Sequence, residues 1–205
     1  MASKVLFLPT LLLCLFGTCY GEGLFTSLEK TLVITASPKN GSVLRAGKDT
    51  MTVTWGLNQS VAASTAETYK TMKVKLCYAP ISQKDRGWRK TKPELSKDKT
   101  CQFNVVARPF DATSTNNSQS VEYLVERNIP TGTYFVRVYA FNSEGIEVAY
   151  GQTTDVKKTT NLFEIQAITG RHASLDIAAG VFSAFSILSL TGFFYVEKKK
   201  GKRSQ

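Results

Sequence analysis

The sequence predicts an all-β sandwich outside the cytoplasm, attached to a membrane by one C-terminal helix. Three observations carry this prediction: an apolar N-terminal run followed by small residues, a series of short β-type segments over residues 22–166, and an uncharged apolar stretch at 177–196. A chain of 205 residues has room for one folded domain in addition to a secretory leader and a membrane anchor.

Residues 1–21 have the layout of a cleaved signal peptide. Lys4 supplies a positive charge, residues 5–16 are almost entirely apolar, and the small residues Gly17, Thr18 and Gly21 follow. The apolar run is shorter than the roughly 20 residues that a membrane-spanning helix needs. We therefore expect cleavage near Gly21 or Gly23 and entry into the secretory pathway, with an uncleaved anchor or a buried helix as the alternative.

Residues 22–166 contain a series of segments with β character. Polar and apolar residues alternate within them, so that Met51, Val53 and Trp55, for example, would share one face of a strand. Turn-forming clusters such as 37–41 and 142–145 separate the segments. The segments are 31–35, 50–55, 72–78, 101–106, 121–125, 134–141, 146–150 and 162–165. About seven short strands with turns between them are typical of immunoglobulin-like and fibronectin type III-like sandwiches.

Two aromatic residues fit this kind of sandwich. Trp55 ends a segment that resembles the second strand of fibronectin type III domains, whose tryptophan packs in the core. Tyr134 stands near the start of a stretch, 132–145, that resembles their sixth strand and the turn after it. A tyrosine at that place bonds back to the backbone as a corner. We therefore expect both side chains in the core and not at a ligand site.

Two cysteines remain once the leader has been removed. Cys14 and Cys19 leave with the leader, so Cys77 and Cys101 form an even pair in an oxidising compartment. We predict a disulfide bond between them, with two buried free thiols as the alternative. In the chain-entropy model a loop of this size contributes roughly 3–4 kcal/mol to stability.

Glycosylation motifs agree with the secretory route. Asn40, Asn58 and Asn116 each begin an Asn-x-Ser motif, and all three fall in predicted turns. We therefore expect a glycoprotein, although a single motif of this kind often arises by chance.

Residues 177–196 are long and apolar enough to span a bilayer as a helix. The tail at 197–205 is basic, which by the positive-inside rule keeps it in the cytoplasm and the N-terminus outside. Residues 167–176 are then a juxtamembrane segment between the domain and the span. Small residues at helical spacing predict a packing face for another transmembrane helix, with a lipid-facing serine as the alternative. They are Ala179, Gly180, Ser183 and Ser186.

Catalysis and metal binding find little support in the residues. His172 is the single histidine, and no Cys/His cluster, glycine-rich phosphate loop or nucleophile elbow is present in the sequence. Half of the formal net charge of +10 lies in Lys4 and the tail, so it reflects membrane topology and does not indicate nucleic-acid binding. We expect no enzyme activity, cofactor, metal or nucleic-acid partner.

The long segment at 80–100 is the one informative candidate site. Within 84–99, seven basic residues stand against three acidic ones, and Trp88 lies between Arg86 and Arg89. Tryptophan and arginine are the residues most enriched at interface hot spots. The predicted disulfide would hold both ends of the segment and lower the entropy cost of presenting it. Residue types alone leave two alternatives: a partner-binding loop, or a solvated loop with Trp88 tucked onto the sandwich.

Several longer motifs closely resemble the plant high-affinity nitrate transporter-activating proteins. The motifs are 74–80 (VKLCYAP), 85–90 (DRGWRK), 97–101 (KDKTC), 128–137, 147–152 and 168–175. They extend over nearly the whole mature chain, and together they are far more specific than a generic sandwich pattern.

This resemblance implies a non-catalytic partner of a transporter. Such proteins are single-span partners of polytopic nitrate/nitrite porters of the major facilitator class, which they help to reach or persist at the plasma membrane, so a hetero-oligomer is implied. The resemblance points to Arg89 and Asp98 as functional residues. The full set expected to bind the partner is Asp85, Arg86, Trp88, Arg89, Lys90 and Asp98. A cell-surface receptor or adhesion module and a lumenal enzyme are the alternatives.

Overall fold

The computed structural model describes residues 23–111 and 118–201. The predicted leader at 1–21 and the sequon at Asn116 lie outside the described residues. The chain divides into two compact units, the first ending at Ala167 and the second beginning at Ile168. The first unit is a β-sandwich, and the second contains the C-terminal helix.

Ten strands form two sheets within the described residues. They are β1 (Glu29–Lys30), β2 (Leu32–Ala36), β3 (Val43–Arg45), β4 (Thr50–Leu57), β5 (Thr71–Tyr78), β6 (Phe103–Pro109), β7 (Ser118–Leu124), β8 (Gly132–Phe141), β9 (Glu147–Gln152) and β10 (Phe163–Gln166). Each predicted segment overlaps one of these strands. The two that sequence reasoning missed, β1 and β3, have two and three residues and are too short to show a periodic pattern.

The ten-residue strand β8 organises the larger, seven-stranded sheet. On one side β8 pairs with β5, and β5 pairs with the edge strand β6. On its other side β8 pairs with β9 over one half of its length and with β10 over the other half. The smaller sheet has three antiparallel strands in the order β2-β4-β7.

The main core contains residues from both sheets, as the alternation in the sequence predicts. Met51, Val53 and Trp55 of β4 are at most 2% exposed. Tyr134 forms the predicted corner, since its hydroxyl donates a 2.6 Å hydrogen bond to the carbonyl oxygen of Pro130. The expected immunoglobulin- or fibronectin-like sandwich and the core positions of both aromatic residues are therefore confirmed.

Strand β8 is buried on both faces, which is unusual for an antiparallel sandwich whose second face commonly meets water. The side chains that point away from the main core define the outer face; they are Phe135, Arg137, Tyr139 and Phe141. Leu28, with Phe25 and Leu95 packed beside it, covers Tyr139 and Phe141. The N-terminal segment and the long loop thus supply a second, smaller core on the outside of the sheet.

The C-terminal helix runs from Ala173 to Gly201 and contains the predicted span at 177–196. Its 29 residues are long and apolar enough to cross a membrane. Asp176 stands in its first turn and Lys198, Lys199 and Lys200 in its last, which matches the direction of the helix dipole. This helix fits a membrane-anchored protein.

Candidate functional site

The segment at 80–100, called the long loop below, is closed at its base by a disulfide bond. Cys77 and Cys101 are bonded, with their Cα atoms 4.0 Å apart, as predicted. The loop includes a short helix, Pro80–Gln83, and a 3₁₀ turn, Gly87–Arg89. Because its ends are tied and its interior contains regular turns, the loop is structured along much of its length.

Arg89 is buried inside the long loop and is only 6% exposed. Its guanidinium carbon lies 4.2 Å from the centre of the Tyr78 ring, and its Nη1 donates to the carbonyl oxygen of Ser82. The Ser82 hydroxyl in turn accepts a 2.6 Å hydrogen bond from the backbone N–H of Thr133 at the start of β8. This position differs from an exposed partner contact, because stacking on Tyr78 draws the cation inward. Arg89 fastens the loop to the sheet.

Asp98 joins the two arms of the long loop. Its Oδ1 accepts hydrogen bonds from the backbone N–H of Lys92 (3.2 Å), from the backbone N–H of Thr100 (3.1 Å) and from the Thr100 hydroxyl (2.6 Å). The Thr100 hydroxyl also lies 2.7 Å from that of Thr91, which bonds to Gln83. Asp98 is partly exposed, and the bonds around it indicate a role in fixing the shape of the loop.

The remaining predicted residues do lie on the outside of the loop. Trp88 is 65% exposed and Ile81 is 70% exposed, so Trp88 is not tucked onto the sandwich. A hollow of about 330 Å³ has a lining of Gln83, Asp85, Arg86, Gly87 and Lys90. The loop surface, by which we mean Ile81, Asp85, Arg86, Trp88 and Lys90, is exposed. It combines apolar and charged side chains in the way that interface hot spots do.

The backbone at Trp88 is fixed by a side chain from the strand side of the loop. The Gln102 side-chain amide donates to the carbonyl oxygens of Trp88 (2.7 Å) and Lys99 (2.8 Å). Asp85 has a left-handed backbone conformation with φ of +57°, which aspartate tolerates better than most residues. The exposed side chains are therefore presented from a defined backbone.

The long loop is attached at Pro93 to the outer face through Phe25, which lies against the buried Arg137. Its Nε and Nη2 donate to Oε1 of Gln152 (3.2 and 2.9 Å), and its Nη1 donates to the Tyr139 hydroxyl (3.0 Å). Its guanidinium carbon lies 4.4 Å from the centre of the Phe25 ring. Phe25 N–H bonds to the carbonyl oxygen of Pro93 in the loop (2.8 Å). Burial raises the pKa of the Tyr139 phenol, which keeps it neutral.

The long loop lies at the end of the sheet where the chain leaves the sandwich. Tyr78, the last residue of β5, pairs with Tyr134 near the start of β8. Ile165 of β10 pairs with Gly132, so β10 also ends here, at Gln166. The loop and the exit strand therefore share one end of the larger sheet.

The predicted glycosylation and helix-packing residues are placed as follows. Asn40 is exposed and its Oδ1 accepts from the Leu162 N–H, while Asn58 is partly exposed and its Oδ1 accepts from the Ser60 N–H. The small helix residues are all exposed; they are Ala179, Gly180, Ser183 and Ser186. The Ser186 hydroxyl bonds to the Phe182 carbonyl of its own helix. Use of these residues by sugar or by another helix stays a prediction.

No metal-binding site is found in the part of the chain that the structure describes. Within residues 23–111 and 118–201, no group of three or more His, Cys, Asp or Glu side chains is arranged to hold a metal ion.

Replacing Arg89 by methionine should loosen the long loop without unfolding the sandwich. Trypsin cleavage at the exposed loop lysines should accelerate about tenfold, because cleavage follows the population of the open loop and tenfold corresponds to about 1.4 kcal/mol. Arg86→Met is the matched control, since it also removes one cleavage site but from an exposed position. Equal cleavage rates in the two variants would contradict the positioning role of Arg89.

Fold and site together define an immunoglobulin-like domain with an exposed, disulfide-closed loop and a C-terminal apolar helix that fits a membrane anchor. A family model described as "High-affinity nitrate transporter accessory, Ig-like domain", NAR2, matches residues 25–170. The chain therefore belongs to the NAR2 family of nitrate transporter accessory proteins, as its motifs indicate. Membership supports an accessory role and separates the chain from enzyme families.

Relatives of similar length carry matching names. The chain is 51% identical to "High-affinity nitrate transporter 3.1" of Arabidopsis thaliana, covering 99% of this chain and 98% of the relative. It is also 51% identical to "High-affinity nitrate transporter-activating protein 2.1" of Oryza sativa subsp. japonica, covering 85% of this chain and 81% of that one.

Among solved structures, similarities are remote. Fibronectin(III)-like modules of Clostridium thermocellum CbhA give a TM-score of 0.27 at 12% identity, covering 66% of this chain and 47% of that one. A Niemann-Pick type C2 protein from Japanese carpenter ant gives 0.30 at 14% identity, covering 70% and 96%. The fold class rests on the strand pairing and the family match.

Proposed function

We propose that this chain is a non-catalytic accessory subunit of a high-affinity nitrate transporter. It binds a polytopic nitrate/nitrite porter of the major facilitator class and enables the porter to accumulate at the plasma membrane and take up nitrate. The observation that carries this proposal is the exposed Trp88 on a fixed, disulfide-closed loop, in a chain of the NAR2 family.

The long loop docks on the porter through its exposed side chains, while two residues bonded inside the loop hold its shape. Asp85, Arg86, Trp88 and Lys90 contact the porter, while Arg89 and Asp98 hold the loop in the binding shape. Pre-organisation matters because ordering a flexible loop on binding subtracts from affinity. The exposed Trp88 is the anchor, since tryptophan combines a large apolar area with few rotatable bonds.

The C-terminal helix contributes a second contact within the bilayer. Ala179, Gly180 and Ser183 are small residues on one helix face, which allows a neighbouring helix to approach closely. Ser186 adds small size more than bonding capacity, because its hydroxyl is already bonded to the Phe182 carbonyl. The leader delivers the domain to the outside, and the basic tail stays in the cytoplasm.

Uptake at low external nitrate tests the proposal. A high-affinity porter is expressed in cells with and without this chain, and nitrate uptake, surface labelling of the porter and co-purification are measured together. We expect uptake and co-purification only when this chain is present, with the surface signal separating trafficking from activation. A porter that works equally well alone and does not co-purify would overturn the proposal in favour of a receptor-like role.

A further inference from the structure

We propose that a second loop, residues 153–162, forms part of the same porter interface through Val156, Lys157 and Lys158. The occupant is an acidic outer surface of the porter with an apolar recess for Val156. The inference rests on the proposed function for its partner, and adds a contact element that the sequence motifs did not indicate.

Val156 is the first observation. Its side chain is 83% exposed, more than the 65% of Trp88 on the long loop. Single exposed apolar residues are common on protein surfaces, so exposure alone is little evidence for an interface. Here the residue lies on a loop that is hydrogen-bonded into one shape and is followed directly by two lysines.

The Asp155 carboxylate fixes the shape of this second loop. Its Oδ1 accepts from the backbone N–H groups of Thr159 (2.6 Å) and Thr160 (3.3 Å) and from the Thr154 hydroxyl (3.2 Å). Its Oδ2 accepts from the Thr159 hydroxyl (2.9 Å). These bonds, led by that from Thr159 N–H, lower the pKa of Asp155 to about 2. The carboxylate therefore stays ionised at physiological pH and can accept all of these hydrogen bonds.

Backbone conformation sets the two loops apart from the rest of the described chain. Within residues 23–111 and 118–201, the non-glycine residues with positive φ are Asp85, Lys158 and Asn161. Asp85 belongs to the long loop, and the other two, with φ of +57° and +50°, belong to the second loop. Uncommon conformations of this kind collect at functional sites, where the surrounding structure enforces them.

Both loops rest on the same outer face of the sheet. Leu162, at the end of the second loop, packs with Cys77, Phe135 and Cys101 at the base of the long loop. Lys158 interacts electrostatically with Asp98 of the long loop and with Arg137 beneath it. Burial and, after it, Arg137 lower the pKa of Lys158. One partner surface can therefore meet both loops.

Charge selects the occupant. The second loop offers the exposed Lys157 with the half-buried Lys158 beside it, and the long loop offers Arg86 and Lys90 at the exposed loop surface. Two neighbouring basic loops steer an acidic partner toward them, and like charges would be repelled. The apolar Val156 then supplies a contact that a purely electrostatic encounter lacks.

The test uses the full chain co-expressed with a high-affinity porter. The double variant Val156→Ser, Lys157→Glu should lower the apparent affinity in co-purification at least tenfold, and raise its sensitivity to salt. The matched control is Val33→Ser, Lys39→Glu, which changes the same residue types at exposed positions on the other sheet and the turn after it. We expect the control to bind like the unchanged chain.

Each outcome separates this inference from the function on which it rests. If the unchanged chain fails to co-purify with the porter, both are overturned. If Trp88→Ala weakens binding but the double variant does not, only the second loop is excluded. If the double variant also unfolds at lower temperature, its weaker binding is not specific. A photo-reactive residue in place of Val156 then tests directly whether the second loop meets the porter. Cross-links from it to the porter support the inference, and cross-links to lipid alone or to nothing overturn it.

Discussion

Replacing Trp88 by alanine is expected to weaken association with a high-affinity nitrate porter about thirtyfold, which corresponds to about 2 kcal/mol. The free energy of unfolding should not change, because Trp88 is 65% exposed and packs little against the sandwich. Its backbone carbonyl, which Gln102 binds, is untouched by the substitution. The loss therefore falls on the partner contact and not on the fold.

Co-purification from detergent, with the porter titrated against a fixed amount of the full chain, measures this effect. Val33→Ala is the matched control, since Val33 is 52% exposed on β2 of the smaller sheet. An affinity that stays within twofold of the unchanged chain in Trp88→Ala would remove the long loop from the interface. An equal loss in both variants would point to a non-specific effect.

The second large effect is expected from removal of the disulfide. The double variant Cys77→Ala, Cys101→Ala should lose about 3–4 kcal/mol of unfolding free energy, because the bond closes a loop with a sequence separation of 24. Lost packing adds to this effect, since Cys77 is fully buried in a small cluster with Ala79 and Phe135.

Urea unfolding of the full chain in micelles measures this loss. Trp55 is 2% exposed and reports on the main core, so its fluorescence follows unfolding of the sandwich. The unchanged chain under reducing conditions is the control, and it should approach the stability of the double variant. A difference below about 1 kcal/mol would mean that the native loop is held by its hydrogen bonds and packing without the covalent link.

The strands could be predicted because the sandwich imposes a period of two on the sequence. Met51, Val53 and Trp55 alternate with threonines, and all three lie in the core. Strand β8 was recognisable for a different reason: both of its faces are buried, so its sequence is apolar almost throughout. The local sequence pattern is enough to predict a strand wherever the burial of its side chains follows from its place in a sheet.

The candidate site could be predicted in its location but not in its internal arrangement. Residue types marked the long loop as either a partner-binding loop or a solvated loop, and the disulfide pair followed from the cysteine count. The burial of Arg89 depends on the ring of Tyr78, in β5, and on Ser82, which no local pattern connects. Family resemblance pointed to Arg89 and Asp98 as functional residues, which stays a prediction. The structure adds their contacts, which lie within the loop and against Tyr78.

The cover over the outer face depends on contacts that are distant in sequence. Phe25 meets Arg137, and its backbone bonds to Pro93, so three separate segments converge there. The second loop left a weaker signal, an apolar residue between Asp155 and two lysines in a threonine-rich stretch. Its hydrogen-bonded shape, and with it the exposure of Val156, required the three-dimensional structure.

The most direct test of the central claim places a photo-reactive phenylalanine analogue at Trp88 of the full chain, in cells that also express the porter. If the long loop docks on the porter, irradiation should join the two proteins from position 88, and the same analogue at Val33 should give no such product. Cross-links from position 33 but not from 88, or none from either while uptake is still stimulated, would contradict docking through this loop.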